Sequence, residues 1–67
     1  MNEYAKTTTK NGTEITLFIS LGRIFESEKY VLEVIDIDGN ESDKYDFHFT
    51  NERDAVSEYN QAIRDNS

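Results

Sequence analysis

Tyr30-Val-Leu-Glu-Val-Ile-Asp-Ile-Asp-Gly-Asn-Glu-Ser-Asp-Lys-Tyr-Asp-Phe-His-Phe-Thr50 runs directly into Asn51-Glu-Arg-Asp-Ala-Val-Ser-Glu-Tyr-Asn-Gln-Ala-Ile63, and this stretch decides the fold. Tyr45, Phe47 and Phe49 alternate, so a strand over about Lys44 to Thr50 points all three to one side. Ala55, Val56, Tyr59, Ala62 and Ile63 recur at helical spacing and form one apolar stripe. An aromatic sheet face and an apolar helix face adjacent in sequence predict that the helix docks back onto the sheet.

The ends of the helix are marked by local chemistry. Thr50 or Asn51 supplies an N-cap oxygen for the unpaired amides of the first turn. Glu52 and Asp54 fit the positive end of the helix dipole, and Arg64 fits the negative end, which predicts a helix over roughly 52–65.

Working toward the N-terminus, Lys29 to Ile37 reads as a strand with apolar residues on both sides. Tyr30, Leu32 and Val34 are the expected inward face, with Val31, Ile35 and Ile37 opposite. From Thr13 the alternation is plain: Ile15, Leu17, Ile19 and Leu21 on one face, Glu14, Thr16, Phe18 and Ser20 on the other. Gly22 ends that strand, and Ile24 and Phe25 in the following connection are expected to cover an end of the core. Tyr4 to Lys10 is threonine-rich and predicts a further strand. Asn11-Gly12 between the first two strands matches a two-residue type I′ turn, and Asp38-Gly39-Asn40 supplies the turn chemistry between the last two. The expected architecture is α+β, a four-stranded antiparallel meander with one C-terminal helix on one face (β-β-β-β-α). It forms a single domain over residues 1–67.

Composition bounds function. Fourteen acidic against seven basic residues leave a formal charge of −7, which repels nucleic-acid phosphates and anionic membranes and attracts basic surfaces. There is no cysteine for a disulfide or a thiolate metal site. The opening Met1 to Lys6 carries no basic start and no apolar run, and the longest apolar run is Leu17-Phe18-Ile19. The expectation is therefore a cytoplasmic protein without a leader or a membrane span.

The polar residues offer few candidates for chemistry. Asp36, Asp38, Glu41, Asp43 and Asp46 cluster around one turn. A calcium loop of the EF-hand type wants glycine at its sixth position and glutamate at its twelfth. Counted from Asp36, Gly39 is fourth and Phe47 stands twelfth, so no metal or cofactor is expected. His48 shares a strand face with Asp46, but no nucleophile elbow or glycine-rich oxyanion loop accompanies it, which argues against an enzyme. Phe18, placed among Glu14, Thr16 and Ser20, is either an anchor for a partner or a neighbour of Val31 and Ile35.

The pattern Phe49-Thr50-x-Glu52-x-x-Ala55-x-x-x-Tyr59-x-x-Ala62 resembles the strand-to-helix junction of the arm-binding domain of some phage integrases and of one class of plant DNA-binding domains. Those families back a three-stranded sheet with one helix and lay basic residues on DNA. Here the corresponding face carries Glu14, Glu33 and Asp46, so the resemblance implies the architecture and not DNA binding.

The functional expectation is a small, acidic, non-enzymatic protein-binding module that engages a basic surface on a protein partner. In size and acidity it resembles phage-encoded inhibitors of the anti-CRISPR and anti-restriction kind, some of which would act as nucleic-acid mimics on a nucleic-acid-binding protein. Glu14, Phe18, Glu33, Asp36, Asp38, Glu41, Asp43 and Asp46 are the expected partner-binding residues. The alternative is an assembly protein that forms a homodimer through a sheet edge or an exposed sheet face.

Overall fold

The structure, a computed structural model, describes residues 2–19, 30–38 and 41–67. Strands β1 (Asn2–Thr8), β2 (Glu14–Ile19), β3 (Tyr30–Asp38) and β4 (Glu41–Phe49) form one antiparallel sheet in the order β1-β2-β3-β4. Helix α1 (Glu52–Asp65) packs across one face. The expected α+β meander with a C-terminal helix is what the chain forms. Leu21, Gly22, Ile24, Phe25 and the Gly39-Asn40 turn lie outside the described residues.

Register explains why the helix sits where it does. Ile15 pairs with Val34, Leu17 with Leu32 and Ile19 with Tyr30. Across the next ladder Val34 meets Tyr45, Leu32 meets Phe47 and Tyr30 meets Phe49. Directly paired residues share a face, so these rows build one apolar surface. The helix lies mainly over β2 and β3 and reaches β4 less. Beneath it Ile15, Leu17, Tyr30, Leu32, Ala55 and Tyr59 make the buried core. Burying a side chain such as Leu17 stabilises the fold by roughly 1.5–3 kcal/mol. Ala55 is fully buried, and its small side chain lets the helix axis approach the sheet.

Several expectations need correction. Tyr45 and Phe47 point to the helix side but are half exposed, each at 50%, because the helix covers β4 less than it covers β2 and β3. Phe49 alone of the three packs against the core. Ala55 and Tyr59 are the central helix residues, while Ile63 is only partly buried at the margin. On β3 the even face, Tyr30 and Leu32, is buried as expected; Val31 on the other face is buried too, flanked in register by Phe18 and His48.

The first hairpin is not a type I′ turn. The Gly12 amide donates to the Thr9 carbonyl at 3.0 Å and the Thr9 amide donates to the Thr13 carbonyl at 2.9 Å. Gly12 has φ +93° and no described non-glycine residue has positive φ, so Asn11 is not left-handed as type I′ requires. This is a three-residue loop, a type I-like turn closed by a left-handed glycine. Side chains hold it: the Thr13 amide also donates to Thr9 Oγ1 at 3.2 Å and Asn11 Oδ1 at 3.3 Å.

Strand boundaries shift as well. β1 begins at Asn2 and contains a bulge between Glu3 and Ala5, which turns Tyr4 toward the helix. There the Tyr4 ring meets Tyr30 edge-on at 6.2 Å. β4 begins at Glu41, earlier than the alternation of aromatics suggests.

Candidate partner-binding site

The eight expected site residues do not form one surface. Alternation and register divide those whose side chains are described between the two faces of the sheet. Glu14, Phe18, Glu33 and Asp46 stand on the face away from the helix, where Phe18 pairs with Val31 and Glu33 with Asp46. Phe18 is half-buried beside Val31, the neighbour role rather than a bare anchor. The carboxylates here are not unopposed. Lys6 Nζ lies 3.9 Å from Glu14 Oε1, and Lys44 Nζ lies 3.2 Å from Glu33 Oε2. Lys44 is held above its ordinary value of 10.5, first by its hydrogen bond to Glu33, then by the Glu33 and Asp46 charges. This face is thus a mixed-charge surface rather than an acidic one.

The acidic hairpin belongs to the ladder itself. Asp36 pairs with Asp43, and Asp38 pairs with Glu41, so the ladder ends in two rows of acid opposite acid. Like charges directly opposite repel, and the exposure of Asp36 and Asp43 lets water solvate theirs. Asp36 and Asp43 are exposed; Asp36 Oδ1 accepts from Thr13 Oγ1 at 3.3 Å. By alternation Asp36 follows Val34, and Asp43 precedes Tyr45, on the helix side.

That places the two aspartates next to a feature absent from the sequence reading. Beside α1, a groove of about 460 Å³ is floored by Leu32, Val34, Tyr45, Phe47 and Phe49. Glu58, Gln61, Ala62, Asp65 and Asn66 form its helical wall. Among the described residues, every charged one lining it is a carboxylate. Glu58 and Asp65 are seven apart, two turns along the same flank of the helix, about 10.5 Å from a rise of about 1.5 Å per residue. Asp65 Oδ1 accepts from Gln61 Nε2 at 2.8 Å, which fixes it beside the groove. The signal that was available is the recurrence of Glu58, Gln61 and Asp65 along one border of the apolar stripe.

Two polar contacts join the helix to the opposite edge strand, β1. Tyr4 Oη donates to Glu52 Oε2 at 2.7 Å, and the Thr7 and Tyr59 hydroxyls stand 2.7 Å apart. Both tie α1 to β1. The hydrogen bond to Glu52 is also the main reason the Tyr4 phenol is raised above 10.0.

Among the described residues no group of three or more His, Asp or Glu is placed to hold a metal ion, and no helix is long and apolar enough to cross a membrane. No family model, curated protein or solved structure matches the chain.

Proposed function

We propose that this chain is a non-enzymatic binding module that occupies a basic surface of another protein and thereby blocks it. The observation that carries the reading is the exposure of Tyr45 and Phe47, each 50% accessible, in a groove that Glu58 and Asp65 also line. Exposed aromatics flanked by charge are the usual composition of binding hot spots. The carboxylates of Glu58 and Asp65 border that apolar patch along one side, those of Asp36 and Asp43 lie beyond one end, and together they select for cations. The net charge of −7 steers such a partner in and speeds its association. The nucleic-acid mimic is the sharper form of this reading, supported by the stacked acidic rows at the end of β3 and β4. A homodimer is the second reading, since β4 is an edge strand; the like charge of two copies opposes it.

The test is affinity capture on the immobilised protein, followed by association kinetics with whatever basic protein is recovered. Association is expected to slow steeply as salt shortens the screening length from about 8 Å near physiological ionic strength to about 3 Å at 1 M. Competition by added duplex DNA identifies the mimic. Salt-insensitive binding that survives Asp36→Lys with Asp43→Lys, yet is lost in Phe18→Ala, overturns the reading and moves the site to the other sheet face.

A further inference from the structure

We infer that the groove between α1 and β4 receives one amphipathic, basic helix from a partner protein. The inference rests on the binding-module reading above and specifies its occupant.

The first ground is geometric. The helix lies mainly over β2 and β3 and covers β4 less, which leaves Tyr45 and Phe47 half exposed beside it. Two packed helices sit about 8–10 Å apart, axis to axis. A second helix packed beside α1 on this side rests on Tyr45 and Phe47, which the groove leaves open. An extended segment added to the outer edge of β4 lies in the sheet plane instead and leaves the space above Leu32 and Val34 unfilled.

The second ground is charge. Glu58 and Asp65 border the groove along its helical wall, and among the described residues no cation lines it. Asp36 and Asp43 lie one row beyond Val34 and Tyr45, about 6.6 Å further along the strands. An apolar stripe seated on Phe47 and Tyr45 thus has carboxylates along one side and at one end. A helix with leucine-like residues on one face and lysine or arginine on its flanks satisfies both; a neutral or acidic helix leaves those carboxylates desolvated without a counter-charge. The same argument counts against a second copy of this chain. Its own helix carries Glu52, Asp54, Glu58 and Asp65 against Arg53 and Arg64.

The experiment uses the full chain and three labelled probes: a leucine–lysine peptide at helical spacing, the same composition in strict alternation, and polylysine. Fluorescence anisotropy gives the affinities, and circular dichroism monitors the fold of each variant. The helical peptide is expected to bind more tightly than the other two. Phe47→Ala and the double variant Glu58→Lys with Asp65→Lys are each expected to weaken it about tenfold or more. Both variants change exposed side chains, so the fold is expected to be retained. Preference for the alternating peptide overturns the helical occupant in favour of strand addition. Equal binding of all three probes, unaffected by Phe47→Ala, overturns the groove inference while leaving the acidic-module reading standing. Binding of none overturns both. A concentration-dependent increase in mass that Phe47→Ala abolishes identifies a second copy as the occupant and overturns the partner helix.

Discussion

The hydroxyl groups of Thr7 on β1 and Tyr59 on α1 stand 2.7 Å apart across 52 residues of sequence. The bond joins an edge strand to the middle of the helix and sits partly out of water, where a hydroxyl without a partner is penalised. Tyr59→Phe is expected to lower stability by about 1 kcal/mol. Tyr59→Ala, which also empties a core position, is expected to cost about 3–5 kcal/mol. Denaturant melts of the two variants check the difference. An equal loss in both would show that the ring contributes nothing beyond its hydroxyl.

The helix cap gives a second expectation. Asn51 Oδ1 accepts from the Asp54 amide at 2.9 Å. Asn51→Ala removes that acceptor and is expected to cost about 1 kcal/mol. In a domain of this size that lowers Tm by roughly 4–8 °C. The same substitution at Thr50, which does not provide the cap, should leave Tm nearly unchanged. A larger drop at Thr50 than at Asn51 would contradict the assignment.

A third concerns Gly12. A Cβ added there meets no heavy atom within 4 Å, so the site has room for a side chain. Its φ of +93° is the obstacle. Gly12→Ala is therefore expected to cost about 1–2 kcal/mol from backbone strain alone. Gly12→Asn should cost less, because asparagine tolerates left-handed backbone better. Equal stability of all three proteins would mean that the loop has another conformation.

Alkaline pH supplies a fourth. The Tyr4 phenol is raised above 10.0, first by its hydrogen bond to Glu52, and the Lys44 ammonium above 10.5, first by its hydrogen bond to Glu33. In each case the folded chain holds its proton more tightly than the unfolded chain. Their contribution is whole below those ordinary values and is lost as pH rises through the raised ones. Stability should therefore fall above pH 10, and Tyr4→Phe with Lys44→Met should flatten that fall. A double variant with an unchanged alkaline slope would assign the loss to other groups.

The elements most readable in the sequence were those fixed by chemistry near at hand. Asn51 is legible as a cap because its oxygen reaches an amide three residues away, and the helix runs over the residues that its stripe and end charges indicate. The meander follows from short connections between alternating segments. Tyr45 and Phe47 were misread because alternation gives the face of a strand and not the lateral reach of whatever covers it. That reach depends on how the helix is seated on the sheet, and the seating involves contacts such as Tyr4–Glu52 and Thr7–Tyr59, between residues about fifty positions apart. The first turn was misread because Asn-Gly suits two loop geometries. The choice falls to Thr9 and Asn11, whose side-chain oxygens accept from the Thr13 amide. The acidic site was misjudged for a related reason. Sequence places Asp36 and Asp46 in one cluster, while the parity of the ladder sends them to opposite faces.

The fourth strand has a consequence in time as well as in space. From Glu41 to His48 every side chain of β4 is exposed, and only Phe49 at its end reaches the core. Regions with few buried apolar contacts open first under native conditions. The amides that bond β4 to β3 should therefore exchange with deuterated solvent well before those between β2 and β3, through an opening that leaves the remaining three strands and the helix intact. A ligand seated on Phe47 would slow that exchange selectively, so the deuterium clock of one strand becomes a reporter of occupancy that requires no label and no knowledge of the ligand.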